Sequence, residues 1–274
     1  VINRNKKTNI AFIGAGNMTQ SLAQGLLNKK QEQWSISVSD IDQEKLDNLK
    51  NRFNIRTFSN NLSCIDNADV VILSVKPDKA ETVLKEIGEL LEKKRLLLIS
   101  ILGATSIDKL LANGNYKIPT IHCMPNVCAA INESVTSMYA SDLVSQEQKA
   151  LAEEIFSNLG FAFWIANDEL TNSVAAISGS GPAYFFFIIE ILKNIAESFG
   201  IPKDIAAIIA KQTAKGAAKM ATNSDKDITD LRKMVTTPGG STAEAIKTLE
   251  NGNIRELFLT ALQDALYHHN NKNK

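Results

Sequence analysis

Two glycine-bearing turns hold the residue types and spacings that do chemistry in this chain. The first is Gly14-Ala15-Gly16 in "IAFIGAGNMTQSLAQGLL" (10–27), set between an apolar run and a helical pattern. A glycine at the first position makes the turn tight, and one at the third lets a pyrophosphate come close to the backbone. The N–H groups that open the helix then receive the anion. The second turn is "MVTTPGGSTAEAI" (234–246), where a proline and two glycines precede Ser241, Thr242 and Glu244. Ser241 and Glu244 have the spacing of a capping box. On its own residues this turn reads as a capped helix start rather than an anion site.

The first turn stands where a dinucleotide-binding loop must stand, after the first strand of a strand–helix series, with Thr19 in place of the third small residue. Gly14, Ala15, Gly16, Asn17 and Met18 are its candidate cofactor residues. Asp40 lies 24 residues beyond Gly16, at the end of "SVSD", about where an acid meets the adenine ribose. Asp42 and Glu44 follow, and no arginine stands nearer than Arg52, so a ribose 2′-phosphate would meet negative charge. The site leans to NADH over NADPH, although Ser39 and Asn61 remain as groups able to hydrogen-bond a phosphate. "LSVKPD" (73–78) closes a later strand, which puts Ser74, Val75, Lys76 and Pro77 either at the cofactor's border or in a solvated loop.

A hydride acceptor must follow, and acid–base groups are scarce. No histidine stands in a catalytic-looking loop, and the nearest lysine after "SGSGPAY" (178–184) is Lys193. Oxidising an alcohol needs a base for its proton. Reducing a C=N bond needs less of the protein, because a protonated imine is already electrophilic.

Composition narrows the rest. The chain has 274 residues, enough for one large or two ordinary domains, and 44% hydrophobic with 22% charged residues is the balance of a soluble globular protein. Thirty basic residues cancel thirty acidic ones, so no net field draws nucleic acid or an anionic membrane. Cys64, Cys123 and Cys128 make no disulfide framework, and the sequence shows no signal peptide, which makes the cytoplasm the expected compartment. His122, Cys123 and Cys128 fall short of a metal ligand set, so no metal is expected. The uncharged stretch 173–189 is interrupted by Gly179, Gly181 and Pro182 and reads as a buried or interface helix rather than a membrane span.

The elements that must position these residues fall into two rhythms. Strands are predicted at 9–14, 35–40, 69–75, 96–101 and 118–124, with helices at 17–29, 42–52 and 79–94, the pattern of a parallel sheet covered on both faces. Strands near 134–139 and 161–165 flank a helix at 145–158. Beyond that only helices are predicted: 182–199, 203–222, 227–236, 242–250 and 253–269. The fold class is α/β, a Rossmann-type dinucleotide-binding domain (1–166) followed by an all-helical domain (167–274). Phe185, Phe186, Phe187, Ile188 and Ile189 cannot all face one side of a helix. The helical domain is therefore expected to complete its core with a partner chain, or else against the first domain.

Taken together, "FIGAGNM" (12–18), "VKP" (75–77), "MPN" (124–126), "SGSGPAY" (178–184) and "TTPGGSTAEAIKTLE" (236–250) resemble the pyrroline-5-carboxylate reductase family over nearly the whole chain. The resemblance implies reduction of the cyclic imine 1-pyrroline-5-carboxylate to L-proline with NADPH or NADH, the last step of proline synthesis. It implies a homodimer through the helical domain, assembled further into a ring of dimers. It also reverses the reading of the second turn. N–H groups around Gly239, Gly240, Ser241 and Thr242 would hold the substrate carboxylate, with Val235 and Thr237 lining the pocket. Thr242 matches the family threonine whose hydroxyl lies near the ring nitrogen, where it orients the imine or relays a proton. Gly14 through Met18, Ser39, Asn61 and 74–77 match cofactor-contacting positions.

The chain departs from the family pattern at Val127 and Cys128, where Thr-Pro is usual, and at His122, where arginine is common. "SILGAT" (100–105) replaces an Ala-Ala-Gly loop, and Asp227-Ile228 replaces His-Pro. Rival readings are another cyclic-imine reductase, a β-hydroxyacid dehydrogenase, which would carry a lysine soon after the glycine-serine motif, and a non-catalytic nucleotide-binding relative.

Overall fold

Residue alternation along the first strand sets the architecture. In Thr8–Ile13 (β1), Ile10 and Phe12 join one buried cluster while Ala11 and Ile13 join another, so the strand is apolar on both faces. The computed structural model describes residues 7–271 apart from 31 and 113.

After β1 come Asn17–Lys30 (α1), Trp34–Ser39 (β2), Gln43–Phe53 (α2), Arg56–Phe58 (β3), Asn61–Ile65 (α3), Val70–Leu73 (β4) and Pro77–Lys94 (α4). Leu97–Ser100 (β5), Ile107–Ala112 (α5), Thr120–Met124 (β6), Ser134–Ala140 (β7), Gln146–Ser157 (α6) and Gly160–Trp164 (β8) complete the alternation. The eight strands order as β3-β2-β1-β4-β5-β6-β7-β8. One core lies under α1, α2 and α6, with Leu22, Leu26, Leu46, Leu49, Ile155 and Phe156. The other lies under α3, α4 and α5, with Ile65, Leu84, Ile87, Leu91 and Leu110.

Three features differ from the sequence expectation. The short β3, α3 and α5 were not predicted, being too brief to show a period. The sheet is mixed, because β6 and β7 pair antiparallel. The nine residues 125–133 that join them hold a single 3₁₀ turn, Val127–Ile131, too little chain for a parallel crossover. Thirdly, the glycines near 180 do not break the helix. Leu170–Val174 (α7) runs through a π-helical turn, Ala175–Gly179, into Gly181–Ser198 (α8). The wide turn, closed by Ser180 N–H to Ala175 O at 2.9 Å, sits just before Pro182 and absorbs the register that a proline disrupts. By length and composition alone, Leu170–Ser198 is long and apolar enough to cross a membrane.

Lys203–Thr222 (α9), Ile228–Met234 (α10), Ser241–Asn251 (α11) and Ile254–Asn271 (α12) follow. The chain divides into two compact units, residues 1–180 with 266–274, and residues 181–265. The second unit is helical, and its apolar side chains stand outward. Phe185, Phe186 and Phe187 are 71%, 61% and 62% exposed.

Candidate active site

The glycine loop is built between the carboxyl ends of three strands. Gly14 has φ +106° and donates its N–H to Ser39 O at the end of β2 (2.8 Å). A Cβ on Gly14 would lie 2.5 Å from Ser74 O, just past β4, so only glycine fits this turn. Nothing lies within 4 Å of a Cβ built on Gly16, which leaves that stretch of backbone open to a ligand. Thr19, fully buried, explains the departure from a third small residue. Its hydroxyl donates to Gly14 O (2.7 Å) and lies 2.9 Å from Ser74 Oγ, holding the loop to both neighbours.

Asp40 does more than sequence position implies. Its Oδ2 accepts the Ala15 N–H at 2.7 Å and its Oδ1 the Asp42 N–H at 2.9 Å, so it fastens the glycine loop to the end of β2. Ser39 is buried, and its hydroxyl donates to Asn61 Oδ1 (2.7 Å). The Asn61 amide donates in turn to Glu86 Oε2 (2.7 Å). Glu86, on α4, was missed by sequence reading, since nothing in its spacing marks it. Lys76 is exposed at the cap of α4 and Pro77 is its first residue, so α4 begins two residues earlier than the periodicity suggests.

Val235, Thr237, Gly239, Gly240, Ser241 and Thr242 come together on one exposed turn in the helical unit. Gly240 N–H to Thr237 O (3.0 Å), Pro238 in second place and Gly239 at φ +75° make a type II turn. A Cβ on Gly240 would sit 2.8 Å from Thr237 Oγ1 and would have to displace that hydroxyl, whereas Gly239 is favoured by its positive φ. The capping box does not form. Gly240, extended at φ −85° and ψ 161°, occupies the cap, and no side chain accepts from the first turn. Ser241 is pushed one place into α11, and the N–H groups of Ser241 and Thr242, in that first turn, lack intrahelical acceptors.

The comparisons with known proteins bear on both turns. The profile described as pyrroline-5-carboxylate reductase dimerisation matches residues 168–271, and the one described as NADP oxidoreductase coenzyme F420-dependent matches 9–104. The chain is 35% identical over 256 residues to pyrroline-5-carboxylate reductase of Pseudomonas aeruginosa, covering 93% of each. The chain belongs to the pyrroline-5-carboxylate reductase family. Among solved structures, the Coxiella burnetii pyrroline-5-carboxylate reductase superposes with a TM-score of 0.88 at 35% identity, covering 98% of this chain and all of that one. The Plasmodium falciparum pyrroline carboxylate reductase, solved with NADP bound, superposes with a TM-score of 0.86 at 26% identity and covers 99% of each. As a member of this reductase family, the chain is an NAD(P)-dependent oxidoreductase.

Within the reductase frame, the departures at Val127-Cys128 and at His122 are held by specific contacts. Asn126 holds the altered "NVC" stretch, accepting the Cys128 N–H on its side-chain oxygen (3.0 Å) and donating to Ser178 O (2.9 Å). Cys128 opens the 3₁₀ turn with Val127, and burial, then the charge of Glu133, push its thiol up, which leaves it a weak nucleophile. His122 is buried on β6 with Nδ1 2.5 Å from Asp168 Oδ1 and Nε2 3.0 Å from Leu102 O. Burial of Asp168 works against its ionisation, but hydrogen bonds from His122, the Ile107 N–H and the Thr171 hydroxyl prevail and hold its carboxyl below the ordinary value. No sequence signal pairs residues 46 apart, and this junction was not foreseen.

Proposed function

We propose an assignment of residues to this family's reaction. The chain reduces the cyclic imine 1-pyrroline-5-carboxylate to L-proline, the final step of proline biosynthesis. Bound nicotinamide dinucleotide supplies the hydride. The glycine loop fits such a group, because the open backbone at Gly16 and the start of α1 offer N–H donors to a pyrophosphate. Gly14, Ala15, Gly16, Asn17 and Met18 would hold it, bordered by Ser74, Val75, Lys76 and Pro77.

For the substrate, the observation that carries the reading is the glycine-capped start of α11. A type II turn exposes the first N–H groups of a helix and puts no side chain over them, an arrangement suited to a carboxylate. Ser241 and Thr242 would donate to that carboxylate, and the Thr242 hydroxyl would orient the ring nitrogen or pass it a proton. Val235, Thr237, Gly239 and Gly240 shape the pocket. Catalysis on this reading is largely orientation, which supplies on the order of 7–11 kcal/mol in well-aligned cases.

The charge around the ribose end supports NADH as the preferred donor. Asp40 and Glu86 flank the Ser39–Asn61 pair, and Lys45, the cation beside Asp40, is taken up by an ion pair with Asp42 (3.1 Å). We assign residues 1–166 to dinucleotide binding and 167–274 to dimerisation and substrate binding. The exposed phenylalanines of α8 lie within the stretch matching the dimerisation profile, which supports a homodimer as their cover rather than a lipid bilayer. A cytoplasmic homodimer, assembled further as a ring of dimers, is the form we expect.

Steady-state oxidation of NADH and of NADPH with racemic 1-pyrroline-5-carboxylate tests the assignment, with L-proline measured as product. Thr242→Ala should lower kcat by about tenfold to a hundredfold and leave dinucleotide affinity within about twofold. Equal loss of turnover and cofactor binding would remove Thr242 from the reaction.

A further inference from the structure

Alternate residues of β6 and its extension reach out of the sheet on one side. His122 meets Leu102 O and Asp168, and Asn126 meets Ser178 O. Met124 packs between two glycines, so that a Cβ on Gly103 or Gly179 would come within 3.7 or 3.1 Å of its methyl carbon. This row ties the loop after β5 and the segment 168–179 to the strand that runs into "MPN".

The chemistry of His122 is constrained by its partners. Leu102 O is a carbonyl and can only accept. Asp168 takes the Ile107 N–H (2.8 Å) on Oδ2 and the Thr171 hydroxyl (3.3 Å) on Oδ1, donors that help hold its carboxyl ionised, so Oδ1 faces His122 Nδ1 as an acceptor. Both ring nitrogens therefore face acceptors. A neutral imidazole has one donor nitrogen and one acceptor nitrogen, and serves only one of the two partners. Leaving the other buried and unpaired is destabilising.

We propose that His122 works as an imidazolium, a double hydrogen-bond donor that pins the 101–106 loop and Asp168 to β6, and is a positioning residue for the reductase. The ionisable groups that face it are mostly acidic. The cleft of about 1110 Å³ beside it is lined by Asp108 and Lys109 of α5, Lys117 before β6, Tyr139 of β7, Asp142, and Asp168 and Glu169 before α7. Two lysines thus stand against four carboxylates. On the β5 side, Ser100 pairs with His122 in the sheet register and adds no charge. Removing one ring proton frees one acceptor and releases either the loop or Asp168.

The ring's protonation is independent of the reaction assigned above, while the kinetic test rests on that assignment. Ring-¹⁵N histidine labelling of the full chain gives three pairs of nitrogen signals, from His122, His268 and His269. Long-range ¹H–¹⁵N spectra at pH 7.5 should show one doubly protonated ring, absent in His122→Gln. Three neutral rings would overturn the proposal. Next, kcat/KM is measured from pH 6 to 9. His122→Gln should lose about tenfold near pH 7 and proportionately less where the wild type declines on the alkaline side, whereas His122→Arg, a permanent double donor, should restore most of the loss and remove that decline. Identical profiles for wild type and His122→Arg would overturn the positioning role. A wild type without turnover overturns the functional assignment instead and leaves the spectra to decide this one.

Discussion

The sheet-bearing unit and the helical unit treat the same kind of residue in opposite ways. In the first, Phe12, Ile72, Leu73 and Phe156 are wholly buried, and the polar groups of the glycine loop bond to neighbouring strand ends. In the second, only Gly181, Ala206 and Ala210 are buried in α8 and α9, while three phenylalanines in a row stand in the open. A chain that buries small residues and exposes large apolar ones has put its core outside itself. The first unit closes two buried cores of its own. The second is half of something, in line with the dimerisation profile over 168–271.

The largest effect should come from attacking that unfinished face. Phe186→Glu places a charge where, in the proposed homodimer, an apolar partner surface would close, twice per dimer. Each buried phenylalanine contributes about 1.5–3 kcal/mol, and an unpaired buried charge costs more than that again. Sedimentation should shift to monomer, with turnover lost and the melting temperature lowered. An unchanged oligomer would mean that this face is not the interface.

Next in size is Gly14→Ala, which tests the first unit. A Cβ 2.5 Å from Ser74 O, at φ +106°, costs roughly 3 kcal/mol through clash and strain together. Dinucleotide binding, read by quenching or calorimetry, should be lost while the sedimentation profile is kept. Loss of both together would contradict the separation of roles between the two units.

How much of this was legible beforehand follows the range of the interactions. The Gly14–Gly16 loop and the Thr237–Gly240 turn are local, and their glycines mark backbone conformations that a reader of the sequence can name. The capping box at Ser241 was a misreading of the same kind of signal, since Gly240 took the cap and spacing alone does not say which residue leaves the helix. Alternation gave the long strands and helices, while β3, α3 and α5 were too short for a period. What stayed hidden was every pairing across the sheet's edge: Asp40 with the Ala15 N–H, Asn61 with Glu86, His122 with Asp168. Each joins residues more than twenty positions apart through side chains of ordinary type.

A smaller effect lies in the acid stability of the first unit. Asp168 has its folded value depressed below the ordinary 3.8 by the donors around it. Such a carboxylate contributes stability that is present above its unfolded value and lost as pH falls through its folded value. The protein should therefore loosen below about pH 4, and Asp168→Asn, which cannot titrate, should flatten that part of the stability curve at the cost of a lower plateau. Tryptophan fluorescence against pH reads both. A wild-type curve as flat as the variant's would show that the junction carries no coupled proton.

The smallest expected change concerns the charge beside Asn61. Glu86 accepts from the Asn61 amide, which fixes the Asn61 oxygen toward the Ser39 hydroxyl. A 2′-phosphate would have to sit against this carboxylate, whereas a ribose with free hydroxyls is not repelled by it. Glu86 is exposed, so solvent screens the effect, and a single exposed charge pair is worth about 0.2–1 kcal/mol. Glu86→Gln keeps an acceptor for Asn61 and removes only the charge. It should raise kcat/KM with NADPH relative to NADH by roughly twofold to fivefold, more at low salt than at high. A ratio that moves equally at all salt concentrations would point to a rearranged Asn61 rather than to charge. A ratio that does not move would place the ribose end away from the Ser39–Asn61–Glu86 chain altogether.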